Sequence, residues 1–411
     1  MDNLSHTVAG LAAGELIHRL LPPEADPARQ STRRRTLLFA CAAANNVPDL
    51  DLFLTSLLPR PLGYLLHHRG HTHTLLYAIP QALLLMLATL LAWPSARRLV
   101  LAGGSARTGF VLAVATGFLL HLLMDFLNSY GIHPFHPFDS RWLYGDLVYI
   151  VEPVFWVAFG VPLAMMVRRL RMRFLLLALP CVAMAYFTVR GFLLPGSLAF
   201  LVALGAAAAF AQHRAGPHGR GALAGAFCLV LAFLAVQVVA LQQGRRVLAQ
   251  ALGERAPASR LHDIAMTAFP ANPLCWTFVA VQSQETAGTF SVQRGVVSLA
   301  PALLGPGQCP AAMKGEQSDA FGPGLAVAIT ASDEESLSFL RSLYRSNCHI
   351  NAWLRFVRAP VLGVDAAFDM RYGTGAEGNF TAIRFSDTND RPCPEGVPGW
   401  GFPRADLLGP Q

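Results

Sequence analysis

The sequence predicts a mainly α fold: a polytopic helical membrane domain of about eight helices over residues 1–243, then a small α+β extracytoplasmic domain over 244–411. Three observations predict it. Of the 411 residues, 53% are hydrophobic and only 14% charged, whereas an ordinary soluble domain has about a quarter charged residues. Long apolar blocks fill the first part, and polarity becomes normal after about residue 244. Four of the seven cysteines, Cys275, Cys309, Cys348 and Cys393, fall in that second part, as expected of an exported domain with up to two disulfides. Spacing leaves their pairing open among three arrangements.

A membrane span needs about 20 apolar residues. Such blocks lie at 36–57, 73–93, 108–128, 148–167, 172–190, 192–212 and 223–243, with a shorter one at 4–20 interrupted by His6, Glu15 and His18. That first block lacks the basic start and apolar core of a signal peptide and reads as a retained helix. Gly216 to Gly221 reads as a flexible connector. The formal charge of +7 is almost all arginine, Lys314 being the only lysine. The arginines form short clusters between apolar blocks: Arg33–Arg35; Arg97, Arg98 and Arg107; Arg168, Arg169, Arg171 and Arg173; Arg214 and Arg220. With eight helices all four clusters fall on one side, which cytoplasmic retention of positive charge makes the inner one; Arg245 and Arg246 dissent mildly. The N-terminus and the C-terminal domain of this multi-pass membrane protein are then extracytoplasmic. The clusters carry no interleaved aromatics, which argues against a nucleic-acid partner.

Ionisable groups inside spans are costly and usually functional. Here they are concentrated. "NNVPDLD" (45–51) puts two asparagines and two aspartates in the second helix, and "HLLMD" (121–125) puts His121 and Asp125 in the fourth. The i, i+4 spacing brings that pair to one face. "HHRGHTHT" (67–74) holds four histidines at the start of the third. At 1.5 Å per residue, Asp49 and Asp125 lie roughly 20–25 Å from the inner ends of their helices. His6 and the 67–74 stretch meet them at the outer face, with His133 and His136 in the next outer loop. Imidazole and carboxylate together suit a divalent metal, zinc foremost, and the number of donors allows one or two ions. Pro48 should distort the second helix and let Asp49 and Asp51 face one site.

Each feature also has a plainer reading. The 67–74 run can be a solvated loop. Asn45 and Asn46 can be helix–helix hydrogen-bond partners. Asp139, Asp146 and Glu152 can cap helices or pair with Arg141, with Glu152 also an auxiliary site candidate. Arg69 is either a surface charge or a bidentate grip on a substrate anion. Trp142, Tyr144 and Tyr149 fit an interfacial aromatic belt. His18, His213 and His262 read as packing or hydrogen-bonding residues.

At these residues the chain resembles the YdjM-type family of membrane-bound metal-dependent hydrolases of the bacterial inner membrane. The opening "MDNLSHT", the "VPDLD" element, "HRGHTHT" (68–74), "HLLMD" and "GDLVYIVEP" carry the resemblance, over roughly residues 1–160. The resemblance implies a helical membrane domain and a metal set of His6, Asp49, Asp51, His68, His73, His121 and Asp125. It leaves His67 and His71 as bystanders, auxiliary ligands or proton carriers. The "HLLMD" element is also similar to one in zinc-dependent phospholipase C.

In the C-terminal domain "TFSVQRGVVSLA", "GLAVAIT" and "FTAIRFSD" look like strands, and 333–347 reads as an amphipathic helix with acids at its N-terminus. "FPANPLCW" (269–276) reads as a fixed turn that begins the domain. No cluster of histidines or acids marks a second site there. The functional expectation is an integral membrane hydrolase acting on an ester or phosphoester of a small molecule or lipid. In it Asp51 is a metal ligand or base, and Arg69 holds substrate charge. A metal-ion transporter or metal-sensing membrane protein is the alternative.

Overall fold

The computed structural model describes residues 1–216, 219–310, 318–388 and 391–409; Pro217 and His218, in the expected glycine-rich connector, lie outside them. Helix α1 (Asn3–Leu20) packs on α2 (Pro27–Ala44) and α7 (Gly104–Phe126). Small residues permit the close approach. A Cβ on Gly10 would come within 2.7 Å of the Ala42 Cα, and one on Gly117 within 2.5 Å of the Cys41 carbonyl oxygen. Asp26 caps α2 by accepting from the Ala28 N–H, with Pro27 in the first turn, where its missing N–H costs nothing.

As Pro48 predicts, the second helix does not run straight. It ends at Ala44, and a 3₁₀ turn (Val47–Leu50) leads into the short α3 (Asp51–Thr55), bent 54° from α2. α4 (Leu62–His67) and a second 3₁₀ turn (His71–His73) follow. Thr74 then caps α5 (Leu75–Ala92) by accepting from the Tyr77 N–H, which fixes His73 at the mouth of that helix. α6 (Pro94–Leu101) connects to α7, and α8 (Pro153–Met165), α9 (Leu170–Val189), α10 (Pro195–Ala215) and α11 (Gly221–Arg255) complete the helical part.

Five described helices, α5, α7, α9, α10 and α11, are long and apolar enough to cross a membrane, and six if α2 and its bent continuation form one span. Of the other two expected spans, α8 has only 13 residues, and α1 carries Glu15, ion-paired to Arg19 and Arg34. Exposed leucines and valines on α5 and α9, such as Leu84 and Val182, are the lipid-facing surface of a multi-pass membrane protein.

The arginine-rich ends converge. Arg33 at the start of α2 donates to the Ser105 hydroxyl at the start of α7, and Arg19 at the end of α1 contacts Met166 after α8 and the Gly219 carbonyl before α11. His6, Asn45, His121 and Asp125 lie at the other ends of these helices.

α11 runs past residue 243 to Arg255, because its last turns pack Leu248, Ala251 and Leu252 under a β-sheet. That sheet is antiparallel in the order β1 (Arg260–Phe269), β2 (Asn272–Gln284), β3 (Thr289–Ser298), β4 (Val327–Ser336). "FPANPLCW" is therefore the β1–β2 turn, and the domain starts before it. The acids expected at a helix start, Asp333 to Glu335, lie on β4, paired with β3; α12 begins only at Leu337 and ends at Ser346. α13 (Cys348–Leu354), a three-stranded sheet of β5 (Pro360–Leu362), β6 (Ala366–Asp369) and β7 (Ile383–Arg384), and α14 (Ala405–Leu408) follow. Only two residues of "FTAIRFSD" are strand. The disulfides are Cys275–Cys309 and Cys348–Cys393.

One hydrophobic core crosses between the two halves: Leu62, Leu65, Tyr130 and Trp142 pack with Trp353, Phe356 and Trp400. Trp142 and Tyr144 are thus at a domain junction, not in a lipid belt, since the C-terminal domain covers them; Arg358 stacks 4.1 Å from the Tyr144 ring. Trp400 Nε1 donates to the Leu66 carbonyl (2.8 Å), Trp142 Nε1 to the Arg355 carbonyl (2.7 Å) and Arg371 to the Ser129 carbonyl (2.7 Å). Arg358 bridges Asp146 and Asp263 at 2.6–3.1 Å. The C-terminal domain therefore sits over the end of the bundle that carries the histidines and aspartates.

Candidate metal centre

Four elements each deliver one part of the cluster: the turn after α2 gives Asp49, α3 gives Asp51, the turn before α5 gives His73, and the last turns of α7 give His121 and Asp125. One donor atom from each of Asp49, His73, His121 and Asp125 lies within 4.8 Å of the others, and all four residues are buried. His73 Nε2 is 2.9 Å from His121 Nε2, 3.0 Å from Asp125 Oδ2 and 3.4 Å from Asp49 Oδ1; His121 Nε2 is 3.4 Å from Asp125 Oδ2 and 3.8 Å from Asp49 Oδ1. A tetrahedral zinc with bonds of about 2.0–2.1 Å separates its ligand atoms by roughly 3.4 Å. The donors already stand at that spacing.

Hydrogen bonding decides which ring nitrogens face the cluster. His121 Nδ1 is 3.0 Å from the Asn45 carbonyl. A carbonyl only accepts, so Nδ1 carries the proton and Nε2 a lone pair. The Thr72 hydroxyl gives its one proton to Asp51 Oδ2 (2.6 Å) and so accepts from His73 Nδ1 (3.0 Å). In the neutral ring His73 Nε2 is then also a lone pair. Two lone pairs at 2.9 Å beside two carboxylates repel unless a proton or a metal ion lies among them. Asp125 Oδ2, moreover, has no hydrogen-bond partner among the described residues, and a buried acceptor of that kind is rare. The residues fit a divalent ion.

A second group, Asp49, Asp51 and His68, shares Asp49 with the first, so a carboxylate bridging two ions is sterically available. Asp51 is held firmly: His68 Nδ1 lies 2.8 Å from Oδ1, and the Arg69 N–H and Thr72 hydroxyl donate to Oδ2. His6 belongs to the same nest. Its Nε2 is 3.3 Å from Asp125 Oδ1, its Nδ1 3.3 Å from Asn45 Oδ1, and its ring stacks on His121 at 4.3 Å. The amino group of Met1 also contacts Asp125 Oδ1.

Arg69 is placed differently from an anion grip. It is 2% exposed, its Nη2 is 2.9 Å from Asp125 Oδ1, its Nη1 donates to Asn128 Oδ1 (3.1 Å), and Tyr130 covers it at 4.8 Å. Its guanidinium is divided between a cluster carboxylate and the Asn128 amide. Its backbone adopts φ 57°, a left-handed conformation uncommon for a residue with a side chain.

The auxiliary candidates lie apart. His67 lines a neighbouring cleft. His71 joins His136 and Trp400, with ring centroids 5.3 and 5.0 Å away. His133 stacks on Trp400 at 3.7 Å, and burial, then His136, holds its pKa well below the usual imidazole range. Glu152 is turned to the C-terminal domain, accepting from Val154 N and Ala271 N at 3.1 Å, so it caps α8 as its plainer reading has it. Asn128 and the Asn45 carbonyl are the supporting groups that sequence reasoning missed. Neither has a pattern signal: one is a lone amide, the other a main-chain atom.

Residues 1–195 match the family of the YdjM inner membrane protein. That part of the chain is similar to the YdjM family. The match covers every residue of both donor groups and extends past the resemblance at 1–160 to the start of α10. No curated protein and no solved structure matches the chain. The protein pairs a YdjM-like helical bundle, with a buried Asp/His cluster able to hold a metal ion, with a C-terminal domain outside the matched region.

Proposed function

We propose that this protein, similar to the YdjM family over residues 1–195, is an integral membrane metal-dependent hydrolase acting on an ester or phosphoester. The observation that carries the reading is the pair of imidazole lone pairs and two carboxylates converging at ligand spacing in a buried site. Asp49, His73, His121 and Asp125 hold one ion, zinc by donor chemistry, and Asp51 and His68 with Asp49 hold a second. A divalent ion bound there supplies a water acidified toward neutral pH. Where only the first ion is bound, Asp51, whose carboxylate is fixed by His68, Thr72 and the Arg69 N–H, is instead the base that takes a proton. Arg69 is a positioning residue: it neutralises and orients Asp125. His6 supports the same carboxylate.

The reading places the centre and the C-terminal domain on the extracytoplasmic face of a bacterial inner membrane. Its supports are the convergence of the arginine-rich helix ends at the opposite side and the two disulfides. Purified protein, never exposed to chelator, is assayed for metal and against a panel of phosphoesters and lipid esters. Metal-dependent turnover lost in Asp51→Asn supports the reading; bound metal with no turnover on any lipid or phosphoester, together with zinc uptake into liposomes, replaces it with transport.

A further inference from the structure

Beyond His68, the cluster adjoins a cleft of about 1260 Å³ between the α3–α4 hairpin and the C-terminal domain. Small-molecule pockets occupy about 300–1,000 Å³, so the space exceeds a small polar ester. Its walls divide by chemistry. Leu52, Leu58, Leu62, Phe380 and Ile383 make an apolar lining; Arg60, Arg384 and Arg391 add cations, which outnumber the carboxylates Asp387 and Glu395 on the same walls. Among the described residues neither Arg60 nor Arg384 forms an ion pair. The apolar lining does not stop at the rim: Phe53, Leu54 and Leu57 of the same hairpin are 73%, 65% and 81% exposed. Leucines that open to water at such levels would be a liability, but beside apolar spans they continue the lipid-facing surface. Tyr64 forms the inner wall. Its ring lines the cleft and stacks on His68 at 5.0 Å, and His68 is bonded to Asp51.

We propose that this cleft binds one membrane-derived amphiphile with an anionic phosphate headgroup, which enters sideways from the leaflet across the α3–α4 hairpin. The alkyl chain lies against the leucines, and Arg60 and Arg384 take the phosphate oxygens, for which guanidinium is the matched donor. Tyr64 is the positioning residue between the bound headgroup and His68. This assigns a substrate class to the hydrolase reading and rests on it for chemistry, but the binding itself does not require turnover.

The full-length protein is reconstituted in vesicles containing phosphatidylglycerol with a photoactivatable diazirine in its acyl chain, then irradiated and mapped by mass spectrometry. Crosslinks are expected on the segments 52–67 and 376–388, at least about five-fold above those on the same segments with a phosphatidylethanolamine probe. Ser56→Trp, which fills the cleft, should cut them at least about five-fold without changing metal content or melting temperature. Arg60→Gln with Arg384→Gln should abolish the headgroup preference while leaving the acyl crosslinks. Crosslinks confined to α5 and α9, or unchanged by Ser56→Trp, overturn the proposal. Equal labelling by both lipids overturns its anionic part, and displacement by free glycerol 3-phosphate overturns the membrane source. Intact crosslinking without hydrolysis of any lipid rejects the hydrolase reading and keeps the cleft; hydrolysis of soluble phosphoesters without crosslinking does the reverse.

Discussion

The Nδ1–H of His121 donates to the carbonyl of Asn45 across 3.0 Å, and that bond turns the ring so that its Nε2 lone pair meets that of His73. An outer hydrogen bond of this kind fixes tautomer and orientation of a metal-ligating imidazole. The end of α2 and the end of α7 are thereby coupled through a main-chain atom that no side-chain substitution removes.

His121→Ala and Asp125→Ala should each lose the ion bound by the four-residue group. Plasma mass spectrometry of protein purified without chelator reads this directly. His68→Ala should remove at most half the metal if two ions share Asp49, and none if only the first group is filled. Full metal retention in both His121→Ala and Asp125→Ala would remove this cluster as the binding site.

Thr72 links two cluster residues, donating to Asp51 and accepting from His73. Thr72→Val keeps the shape and deletes both bonds. Metal affinity should fall about 10–100-fold, the usual effect of losing an outer partner, and Thr72→Ser should restore it. Competition with a chromophoric zinc chelator measures both.

Arg69 neutralises a carboxylate that is fully buried. Removing one member of a buried ion pair costs about 3–5 kcal/mol, so Arg69→Met should lower the melting temperature of metal-free protein markedly. Added zinc should recover part of the loss, because the ion replaces the missing positive charge beside Asp125. A melting temperature that zinc leaves unmoved in Arg69→Met, yet raises in the parent, would contradict that role.

The site was legible in sequence because polar residues in an apolar chain are few, so Asp49, His73, His121 and Asp125 stand out against leucine and alanine. The bend was legible because Pro48 has no N–H to continue α2. The direction of Arg69 was not. A long side chain beside Gly70 can reach lipid, substrate or Asp125, and the left-handed φ at Arg69 leaves no mark in the residue pattern. The acids at 333–335 misread as a helix start because local propensity was outweighed by pairing of β4 with β3. α11 outran its apolar block because its polar end is buried by a sheet that lies later in the chain.

Arg358 joins the two halves through Asp146 and Asp263. Burial alone would raise the Asp263 carboxyl, but Arg358 and then Arg404 outweigh it and hold its pKa below the usual carboxylate value. A depressed folded pKa contributes stability above the unfolded value of about 3.9, and that stability is lost as pH falls through the lower folded value. Docking of the C-terminal domain should therefore persist at about pH 5 and weaken below about pH 4. Arg358→Met should loosen it already at neutral pH, by about 3–5 kcal/mol. Hydrogen exchange at 127–152 and 356–372 reports both effects, and equal protection in the variant and the parent would exclude the arginine as the clasp.

The Cys348–Cys393 disulfide anchors the segment that carries Trp400, and Trp400 in turn covers His133 and bonds the Leu66 carbonyl. Cutting that link should free the indole before it unfolds the bundle, since the helices hold their own core without it. Loss of a native disulfide costs about 2–5 kcal/mol, so Cys348→Ser with Cys393→Ser should red-shift the tryptophan emission and lower the melting temperature while metal stays bound. In the unmodified protein, denatured without reductant, maleimide should label only Cys41, Cys181 and Cys228, and reductant should add Cys275, Cys309, Cys348 and Cys393. Labelling of all seven cysteines without reductant would mean that the C-terminal domain folds in a reducing compartment, and the centre beneath it would then face the cytoplasm.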